Sequence, residues 1–329
     1  MTDSPSPLLT IILTVYNMAR FLPQCLESLT GEEADTTEIL LIDDGSTDES
    51  AAMLAEQASR HARFRVVRQE NQGLSVARNT GLAQARGLFV AFCDADDFVL
   101  PGYYTRLTAM AVAAGLDIAL GNAMYHFEGR QPDYPIYRDD PGQQPTTGRA
   151  VLAFRLANKT LLHMVWMQVY RRAFVERHRL RFVPGIVHED VIWTTRALLL
   201  AERVAYDPAP GYYYRQWKRE RHYTDAALLK IMRSYEINTR EVERLADGVE
   251  GDAHLQWWLR WRVADEGINI LHKLARLTPA ERRRQWRRLR QEGIFAVLWR
   301  NAMDWRLRRR IAKYYLKSWL AGGLAGRPG

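Results

Sequence analysis

The chain has 329 residues, 47% hydrophobic and 26% charged, a composition typical of a soluble globular protein with one large and one smaller domain. Its two cysteines, Cys25 and Cys93, exclude a disulfide framework and lie in apolar contexts, which predicts buried thiols in a reducing compartment. The N-terminus lacks the basic start and apolar core of a signal peptide, and the longest apolar runs are far shorter than the roughly 20 residues of a membrane span. We therefore expect a cytoplasmic protein, or one attached to the cytosolic face of a membrane.

The net charge of +8 is unevenly distributed along the chain. Residues 251–329 contain 18 Lys and Arg against 6 Asp and Glu, whereas residues 1–250 contain 28 against 32. Seven of the ten tryptophans also lie in the basic part. This contrast predicts two functional regions, a catalytic domain over residues 1–220 and a basic, Trp-rich helical region over residues 221–329.

The first hundred residues alternate between buried-strand and helix patterns. Near-continuous apolar runs predict strands at residues 8–15, 37–42, 64–68 and 88–92, and the segments between them predict helices at 21–29, 48–61 and 74–85. Such alternation favours an α/β fold with a doubly wound, mostly parallel sheet. Ligands of such sheets bind beyond the carboxyl ends of the strands.

The rest of the chain is less regular. We expect a helix at residues 101–115, a loop at 127–148, helices at 149–163, 166–177 and 191–201, and strands at 204–207 and 211–215. From residue 226 onward the pattern is mainly helical. The sequence therefore predicts a C-terminal helical extension beyond the sheet.

Polar clusters follow each predicted strand at the edge where ligands bind. The most distinctive one contains Asp94, Asp96 and Asp97 directly after an apolar run. Three neighbouring carboxylates repel one another unless a cation lies among them, and hard divalent ions take such oxygen ligands while keeping positions for substrate phosphates. An acidic surface turn or a helix cap is the other interpretation of this short pattern.

Two common nucleotide-binding motifs do not occur. The first strand is followed by Thr14-Val15-Tyr16-Asn17-Met18-Ala19 and not by G-x-G-x-x-G, which disfavours a dinucleotide dehydrogenase. The chain also lacks G-x-x-x-x-G-K-[ST], which disfavours a P-loop ATPase.

Four motifs together resemble family 2 glycosyltransferases. They occur in the order and spacing of that family at residues 10–17, 43–48, 71–81 and 94–97. The later His188-Glu189-Asp190 resembles the acceptor-side carboxylate motif of the family, so that the resemblance covers about residues 8–215. It implies a glycosyltransferase A-type fold and inverting transfer of a sugar from a nucleotide donor, commonly a UDP-sugar, with the help of Mg²⁺ or Mn²⁺.

The resemblance also implies roles for residues on the donor side. Asp96 would ligate the metal, Asp94 would touch the ribose or the sugar, and Arg78 would approach the diphosphate. The expected contacts of the base are Thr14, Tyr16 and Asp44.

On the acceptor side, we expect Asp190 to act as the catalytic base, with Glu189 orienting it or binding the acceptor. An acidic pair stabilised by a helix dipole is the other interpretation of these two residues, and His188 either binds substrate or packs. Arg219, Arg221 and His222 would close over the diphosphate. A solvated basic loop also fits them, since the segment lacks the serines that family members often carry there.

The resemblance implies transfer to a hydroxyl of a glycan or glycolipid in cell-surface polysaccharide or lipopolysaccharide synthesis. Two alternatives are a non-catalytic sugar-nucleotide-binding component of a polysaccharide assembly complex and a nucleotidyltransferase of similar fold. The second usually has a Gly-rich basic loop after the first strand, which this chain lacks.

The basic C-terminal part predicts an amphipathic helix. Its cationic stripe is formed by Arg306, Arg310, Lys313 and Lys317, and its apolar stripe by Leu307, Ile311, Tyr315 and Trp319. Such helices lie in membrane interfaces, so we expect a peripheral membrane contact on the cytosolic face. A packed helical subdomain with a solvated basic face fits the same pattern, and nucleic-acid binding is not expected beside an acidic catalytic half.

Overall fold

The computed structural model describes residues 6–33, 35–217 and 223–323, with side chains as far as residue 317. The chain divides into two compact units. The first unit comprises Met1–Arg155, Thr160–Gly185 and Trp193–Arg219. The second comprises Leu156–Lys159, Ile186–Ile192 and Glu220–Gly329. The predicted boundary at residues 220 and 221, between a catalytic domain and a basic helical region, stays a prediction.

The described residues of the first unit build a sheet of nine strands in the order β3-β2-β1-β4-β8-β6-β9-β5, with β7 paired to β6. The strands are β1 (Leu9–Val15), β2 (Thr37–Asp43), β3 (Phe64–Arg68), β4 (Phe89–Asp94), β5 (Phe98–Val99), β6 (Ile118–His126), β7 (Tyr134–Pro135), β8 (Gln168–Arg171) and β9 (Val204–Arg215). The helices up to the end of this region are α1 (Leu22–Leu29), α2 (Ser50–Arg60), α3 (Leu74–Gln84), α4 (Tyr103–Ala113), α5 (Gly148–Ala157), α6 (Arg172–Arg177) and α7 (Asp190–Leu200).

The parallel half of the sheet confirms the predicted α/β fold. Strands β3, β2, β1 and β4 run parallel, and every residue of β1 and β2 is buried, as expected for strands covered on both faces. In the register, Val15 pairs with Asp43 and Thr14 pairs with Asp94. The carboxyl ends of β2, β1 and β4 are therefore level, and the polar residues that follow them meet at one edge.

The other half of the sheet is mixed and corrects one prediction. The expected helix over residues 166–177 is wrong for its first half, which forms the end of a 3₁₀ turn (Val165–Met167) and then β8, and it is confirmed only for α6. Strand β8 lies antiparallel to both β4 and β6, with Val169 and Tyr170 fully buried. Pairing on both sides overrides the local preference of this short segment.

The second unit is helical, as the sequence predicts. Its helices are α8 (Asp225–Asp247), α9 (Ala253–Leu274), α10 (Pro279–Gln291), α11 (Ile294–Arg300) and α12 (Trp305–Gly323). Local capping explains where they begin: Thr224 and Asp252 accept backbone N–H bonds at the starts of α8 and α9, and Pro279 occupies the first turn of α10. None of the helices in the described part of the chain is long and apolar enough to cross a membrane.

The core of the second unit corrects the predicted membrane-facing stripe. Leu307 and Ile311 are buried in this core with residues of α8, α9, α10 and α11. They cannot also face a lipid surface, so the expected stripe is wrong at these two positions. Tyr315 remains partly exposed, and the side chain of Trp319 lies outside the described residues.

Candidate active site

The loops after β1 and β2 are joined by hydrogen bonds. The Asp44 N–H donates to the carbonyl of Val15 at 2.9 Å, and the Asn17 side-chain oxygen accepts the N–H of Thr47 at 2.8 Å. Asn17 has a left-handed backbone (φ 52°), a conformation that Asn tolerates better than most residues. The loops thus present Tyr16, 45% exposed, beside the largely buried Thr14.

Asp44 organises the start of α3. Its Oδ1 accepts bonds from the Gln69 side chain at 2.7 Å and the Gln72 N–H at 3.0 Å, and its Oδ2 accepts the Gly73 N–H at 2.8 Å. Gly73 has φ 86°, which a residue with a Cβ rarely adopts. Because a carboxylate offers about four acceptor positions, three bonds leave room for one further donor.

A buried ion pair holds Asp94. The Arg78 Nη2 donates to Asp94 Oδ1 at 2.7 Å, and the Arg78 side chain is only 3% exposed against 25% for Asp94. The guanidinium also lies 5.3 Å from the ring of Phe182 and 5.9 Å from that of Phe92. Arg78 therefore lies behind Asp94 and fixes its orientation, and the predicted contact of Arg78 with a donor stays a prediction.

Asp97 has a structural role in the same turn. Its side chain is fully buried and accepts bonds from the Tyr212 hydroxyl at 2.7 Å and the Arg215 N–H at 2.8 Å. The Tyr212 oxygen in turn accepts the Asp94 N–H at 3.2 Å. Burial, followed by the charges of Asp96 and Asp94, raises the pKa of the Asp97 carboxyl well above its usual range.

Arg215, at the end of β9, is the central residue of this network. Besides its backbone bond to Asp97, its Nε donates to the Asp96 carbonyl at 2.8 Å and its Nη1 donates to Glu128 at 2.7 Å. Its Nη2 donates to Gln24, and the guanidinium lies about 5 Å from the rings of two phenylalanines, Phe21 and Phe98. One buried side chain thus connects β9, α1 and the acidic turn.

Trp217 contacts the predicted metal ligand directly. Its indole Nε1 donates to Asp96 Oδ2 at 3.0 Å, while its ring packs 4.8 Å from that of Phe21. The motif analysis missed Trp217 and Tyr212. The one sequence signal for these side chains is the aromatic-rich run at residues 211–217, near the end of the resemblance.

The donor set of the turn fits a hard divalent cation. Among the described residues, no group of three or more His, Cys, Asp or Glu side chains is arranged around a common metal position. Mg²⁺ is often bound by one or two carboxylates together with substrate phosphates, so Asp94 and Asp96 would be enough to hold such an ion together with a bound diphosphate.

Two thiols lie under the acidic turn. Cys25 and Cys93 are fully buried and reduced, with 4.0 Å between their sulfur atoms. The hydrogen bond with Cys25, and then burial, raises the pKa of the Cys93 thiol well above its usual range. Both cysteines are therefore core residues, as the sequence predicts.

The acceptor-side residues belong to the second unit. His188 has φ 60°, and this left-handed turn is held by α8, because Asn238 Nδ2 donates to the His188 carbonyl at 2.9 Å and the Val187 N–H donates to Ser234 Oγ at 3.0 Å. The His188 ring lies 5.2 Å from that of Tyr235. Glu189 is buried, and Asp190 is the first residue of α7, where the helix dipole favours a negative charge.

The predicted site residues are thus divided between the units. The first unit brings together Thr14, Tyr16, Asp44, Arg78, Asp94 and Asp96. Glu189 and Asp190 belong to the second unit. Arg219, Arg221 and His222, which were expected to cover the diphosphate, lie outside the described residues.

The family model "Glycosyl transferase family 2" matches residues 10–179, slightly more than half of the chain. The chain belongs to glycosyltransferase family 2. This match confirms the resemblance derived from the four motifs; it ends before His188-Glu189-Asp190, so the acceptor-side part of the resemblance stays a prediction.

Curated relatives agree with this family. The chain is 36% identical over 208 residues to the uncharacterized glycosyltransferase YibD of Escherichia coli, a match that covers 63% of this chain and 60% of YibD. It is 28% identical over 230 residues to the succinoglycan biosynthesis protein ExoO of Rhizobium meliloti, covering 69% of this chain and 64% of ExoO. The chain spans about three fifths of the length of the curated relatives with the strongest matches.

Among solved structures, the chain is similar to residues 1–349 of Staphylococcus aureus TarS in complex with UDP-GlcNAc. The TM-score is 0.60 at 16% identity, and the match covers 94% of this chain and 92% of that one. At this identity the likeness concerns the fold, which is the glycosyltransferase A-type fold with a helical C-terminal region.

Proposed function

We propose that the chain is an inverting, metal-dependent glycosyltransferase that transfers a sugar from a UDP-sugar to a hydroxyl group of a glycan or glycolipid. Family membership supports the reaction class, and the UDP-GlcNAc bound to TarS supports the donor class. The name of ExoO supports a place in cell-surface polysaccharide synthesis. The sugar transferred is left open by this proposal.

The donor binds beyond the carboxyl ends of β1, β2 and β4. Thr14 and the exposed ring of Tyr16 line the pocket of the base, and Asp44 accepts an N–H of the base on its remaining acceptor position. Asp44 can do so without rearrangement, because Gln69, Gln72 and Gly73 already hold it in place. Asp94, oriented by Arg78, accepts a hydroxyl of the ribose or the sugar.

Asp96, assisted by Asp94, would hold Mg²⁺ or Mn²⁺ at this turn. When bound, the ion would stabilise the negative charge that develops on the departing nucleoside diphosphate. The protein's own side chains contribute to this step by fixing the positions of Asp96 and of the acidic turn. Trp217 donates to Asp96, Arg215 holds the main chain, and Tyr212 fixes the turn between Asp94 and Asp97.

Asp190 is the catalytic base. A sugar hydroxyl is a poor nucleophile until its proton leaves, and a carboxylate within hydrogen-bond reach accepts that proton as the new C1–O bond forms. Attack opposite the leaving diphosphate inverts the configuration at C1. Glu189 binds or orients the acceptor, and α8 holds the turn that leads into both residues.

One observation carries this proposal. The acidic turn lies at the sheet edge beside the ends of β1 and β2, and it is held by buried side chains from two distant segments, Arg78 of α3 and Tyr212 and Arg215 of β9. An acidic surface turn with no function would not need such support. Buried charges are retained only when they are fully paired, and they contribute little net stability.

The experiment measures UDP release from a panel of UDP-sugars with Mn²⁺, Mg²⁺ or a chelator, and the thermal shift caused by each nucleotide. We expect a shift with UDP plus Mn²⁺, because a ligand that binds only the folded state raises apparent stability. Asp96→Asn should abolish both the metal-dependent shift and UDP release. Asp252→Asn is the matched control, since Asn also caps α9 well.

Three results would change the conclusion. Full UDP release in the presence of the chelator would show that the reaction does not need a metal ion. A thermal shift without UDP release for any donor and acceptor would favour a non-catalytic sugar-nucleotide-binding component. Release of pyrophosphate from a nucleoside triphosphate and a sugar phosphate would instead show a nucleotidyltransferase.

A further inference from the structure

An open apolar groove of about 570 Å³ lies between helices α11 and α12 of the second unit. Its lining includes Phe295 and Trp299 of α11 and Ala312, Tyr315 and Leu316 of α12. Trp299 and Leu316 are 50% and 57% exposed, and Trp305 nearby on α12 is 65% exposed. A concentration of exposed apolar side chains of this kind marks an interaction site.

Aromatic contacts hold the floor of the groove. The buried ring of Trp286 in α10 lies 4.5 Å from the ring of Phe295 and 5.5 Å from that of Tyr315, and these two rings lie 5.0 Å apart. Such edge-to-face contacts fix ring orientations, so the groove is formed without an occupant.

A row of cations borders the groove. Trp305, Ala312 and Leu316 lie along one face of α12. The residue that follows each of them is Lys or Arg and lies on the adjacent face of the helix. These cations are Arg306, Lys313 and Lys317, with Arg309 between the two faces; all four are exposed. In the described part of α12, Arg310 pairs with Asp265 at 2.7 Å, whereas these four have no carboxylate within ion-pair distance.

Helix α10 adds cations on the same side. Arg283 and Arg290 are exposed and lie three residues before and four residues after Trp286, whose ring packs against the groove-lining rings of Phe295 and Tyr315. Residues at these spacings are neighbours on a helix surface. The groove therefore has positive charge along both α12 and α10.

We propose that this face binds an anionic lipid surface, with the groove receiving an acyl chain and the cations contacting the headgroups. An apolar strip beside a row of Lys and Arg is the arrangement of helices that lie in a membrane interface. The charge argues against a second copy of this chain as the occupant, because two such faces would bring like charges together. The proposal concerns a surface separate from the donor-binding residues and goes beyond the proposed reaction.

The test is cosedimentation of the full chain with phosphatidylcholine vesicles, with and without phosphatidylglycerol. We expect binding to the anionic vesicles only, weakened by high salt. Lys313→Gln/Lys317→Gln should bind roughly 30-fold more weakly, since each surface cation is worth about fivefold in affinity. The matched control is Arg138→Gln/Arg177→Gln, two exposed cations of the first unit, which should bind like wild type.

A second variant tests the groove itself. Trp299→Gln/Leu316→Gln leaves the charge unchanged, and we expect it to bind anionic vesicles about tenfold or more weakly, because it removes apolar side chains that enter the lipid. Both substituted side chains are largely exposed, so the melting temperature should stay that of wild type.

Several results would overturn the proposal. One is that the wild type does not bind anionic vesicles. Another is that Trp299→Gln/Leu316→Gln binds them as well as the wild type does. A third is that the wild type binds no vesicles but self-associates, and that this variant abolishes the self-association. A preference for single-stranded nucleic acid over the vesicles would also overturn it. UDP release measured without vesicles is independent of all these outcomes, so failure of this proposal and failure of the proposed reaction are distinguishable.

Discussion

Arginine has different functions in the two units of the molecule. In the first unit Arg78, Arg155 and Arg215 are buried, and each guanidinium lies between a carboxylate and aromatic rings. Arg155, for example, pairs with Asp139 and lies 3.6 Å from the ring centre of Tyr137. Among the described residues of the second unit no arginine is buried: most are exposed, and half-buried ones such as Arg262 and Arg288 form ion pairs.

The difference shows how one residue type can either fix a geometry or present a charge. Burying a guanidinium is costly unless every donor finds a partner, so the buried arginines specify where their acids lie. Exposed arginines such as those of α12 contribute little to folding and remain available for binding. The comparison predicts that arginine substitutions in the first unit affect folding and donor binding, whereas those in α12 affect association alone.

The largest expected effect is that of Asp190→Asn, which removes the proposed base. We expect kcat to fall about 10²- to 10⁴-fold, the usual contribution of general base catalysis, while UDP-sugar affinity stays unchanged. The measurement is steady-state UDP release with saturating donor, with calorimetric titration of UDP as the binding readout. A normal kcat would show that Asp190 is only an acidic residue at a helix start.

Arg215→Met should destabilise the first unit by about 3 kcal/mol, because a buried charge network loses its shared donor. Chemical denaturation measures this loss. The control is Arg106→Met, whose own side chain is 45% exposed against 6% for Arg215, and for which we expect less than about 1 kcal/mol. Equal losses in both variants would contradict the distinction between buried and exposed arginines.

Asn238→Ala tests whether α8 positions the turn before the base. Loss of its bond to the left-handed His188 should lower kcat about tenfold and leave the donor affinity unchanged, since the proposed donor-binding residues belong to the first unit. Asn238→Asp, which lacks the amide donor but keeps the size, should behave like Asn238→Ala. A change in donor affinity without a change in kcat would argue against this role.

Trp217→Phe keeps the ring against Phe21 and removes only the N–H that bonds to Asp96. We expect the affinity for UDP plus Mn²⁺ to fall about three- to tenfold, the value of one hydrogen bond to a carboxylate. Titration calorimetry with and without Mn²⁺ checks this. The affinity for UDP without metal should not change, and an equal fall in both titrations would show that the indole acts on the nucleotide.

The smallest effect is expected for Arg244→Ala in α8. Arg244 forms a two-bond ion pair with Glu241 that raises the pKa of its guanidinium, yet the side chain is 65% exposed. Exposed pairs of this spacing contribute about 0.3–0.5 kcal/mol, so the free energy of unfolding should change by no more than that. A loss above about 1 kcal/mol would mean that surface ion pairs stabilise the second unit.

The parallel part of the fold is readable from the sequence because strands buried on both faces are apolar throughout. This holds for β1 and β2, and the structure confirms them to within a residue. Strand β8 was expected to be helical, because the four residues of Gln168–Arg171 carry no pattern of their own, and β6 was not assigned at all. Both depend on partners far away in sequence, since β8 pairs antiparallel with β4 and β6, and β6 pairs mainly parallel with β9.

The candidate site, too, could be predicted only in part from the sequence. The acids could be located from the sequence, because Asp94 and Asp96 directly follow a strand whose neighbours are predictable. Their supports could not, since Tyr212, Arg215 and Trp217 reach the turn only through the pairing of β5 with β9, more than a hundred residues later. The burial of Leu307 and Ile311 in the core of the second unit likewise depends on packing between helices, which a helical wheel does not include.

The position of β9 has a consequence for synthesis of the chain on the ribosome. A nascent polypeptide that ends near residue 200 already carries Asp94, Asp96 and Asp190, but it lacks the hydroxyl, guanidinium and indole groups that fix the acidic turn. Such a fragment contains the acids of the proposed site without their geometry, so we expect nucleotide affinity only after the last strand has emerged and docked.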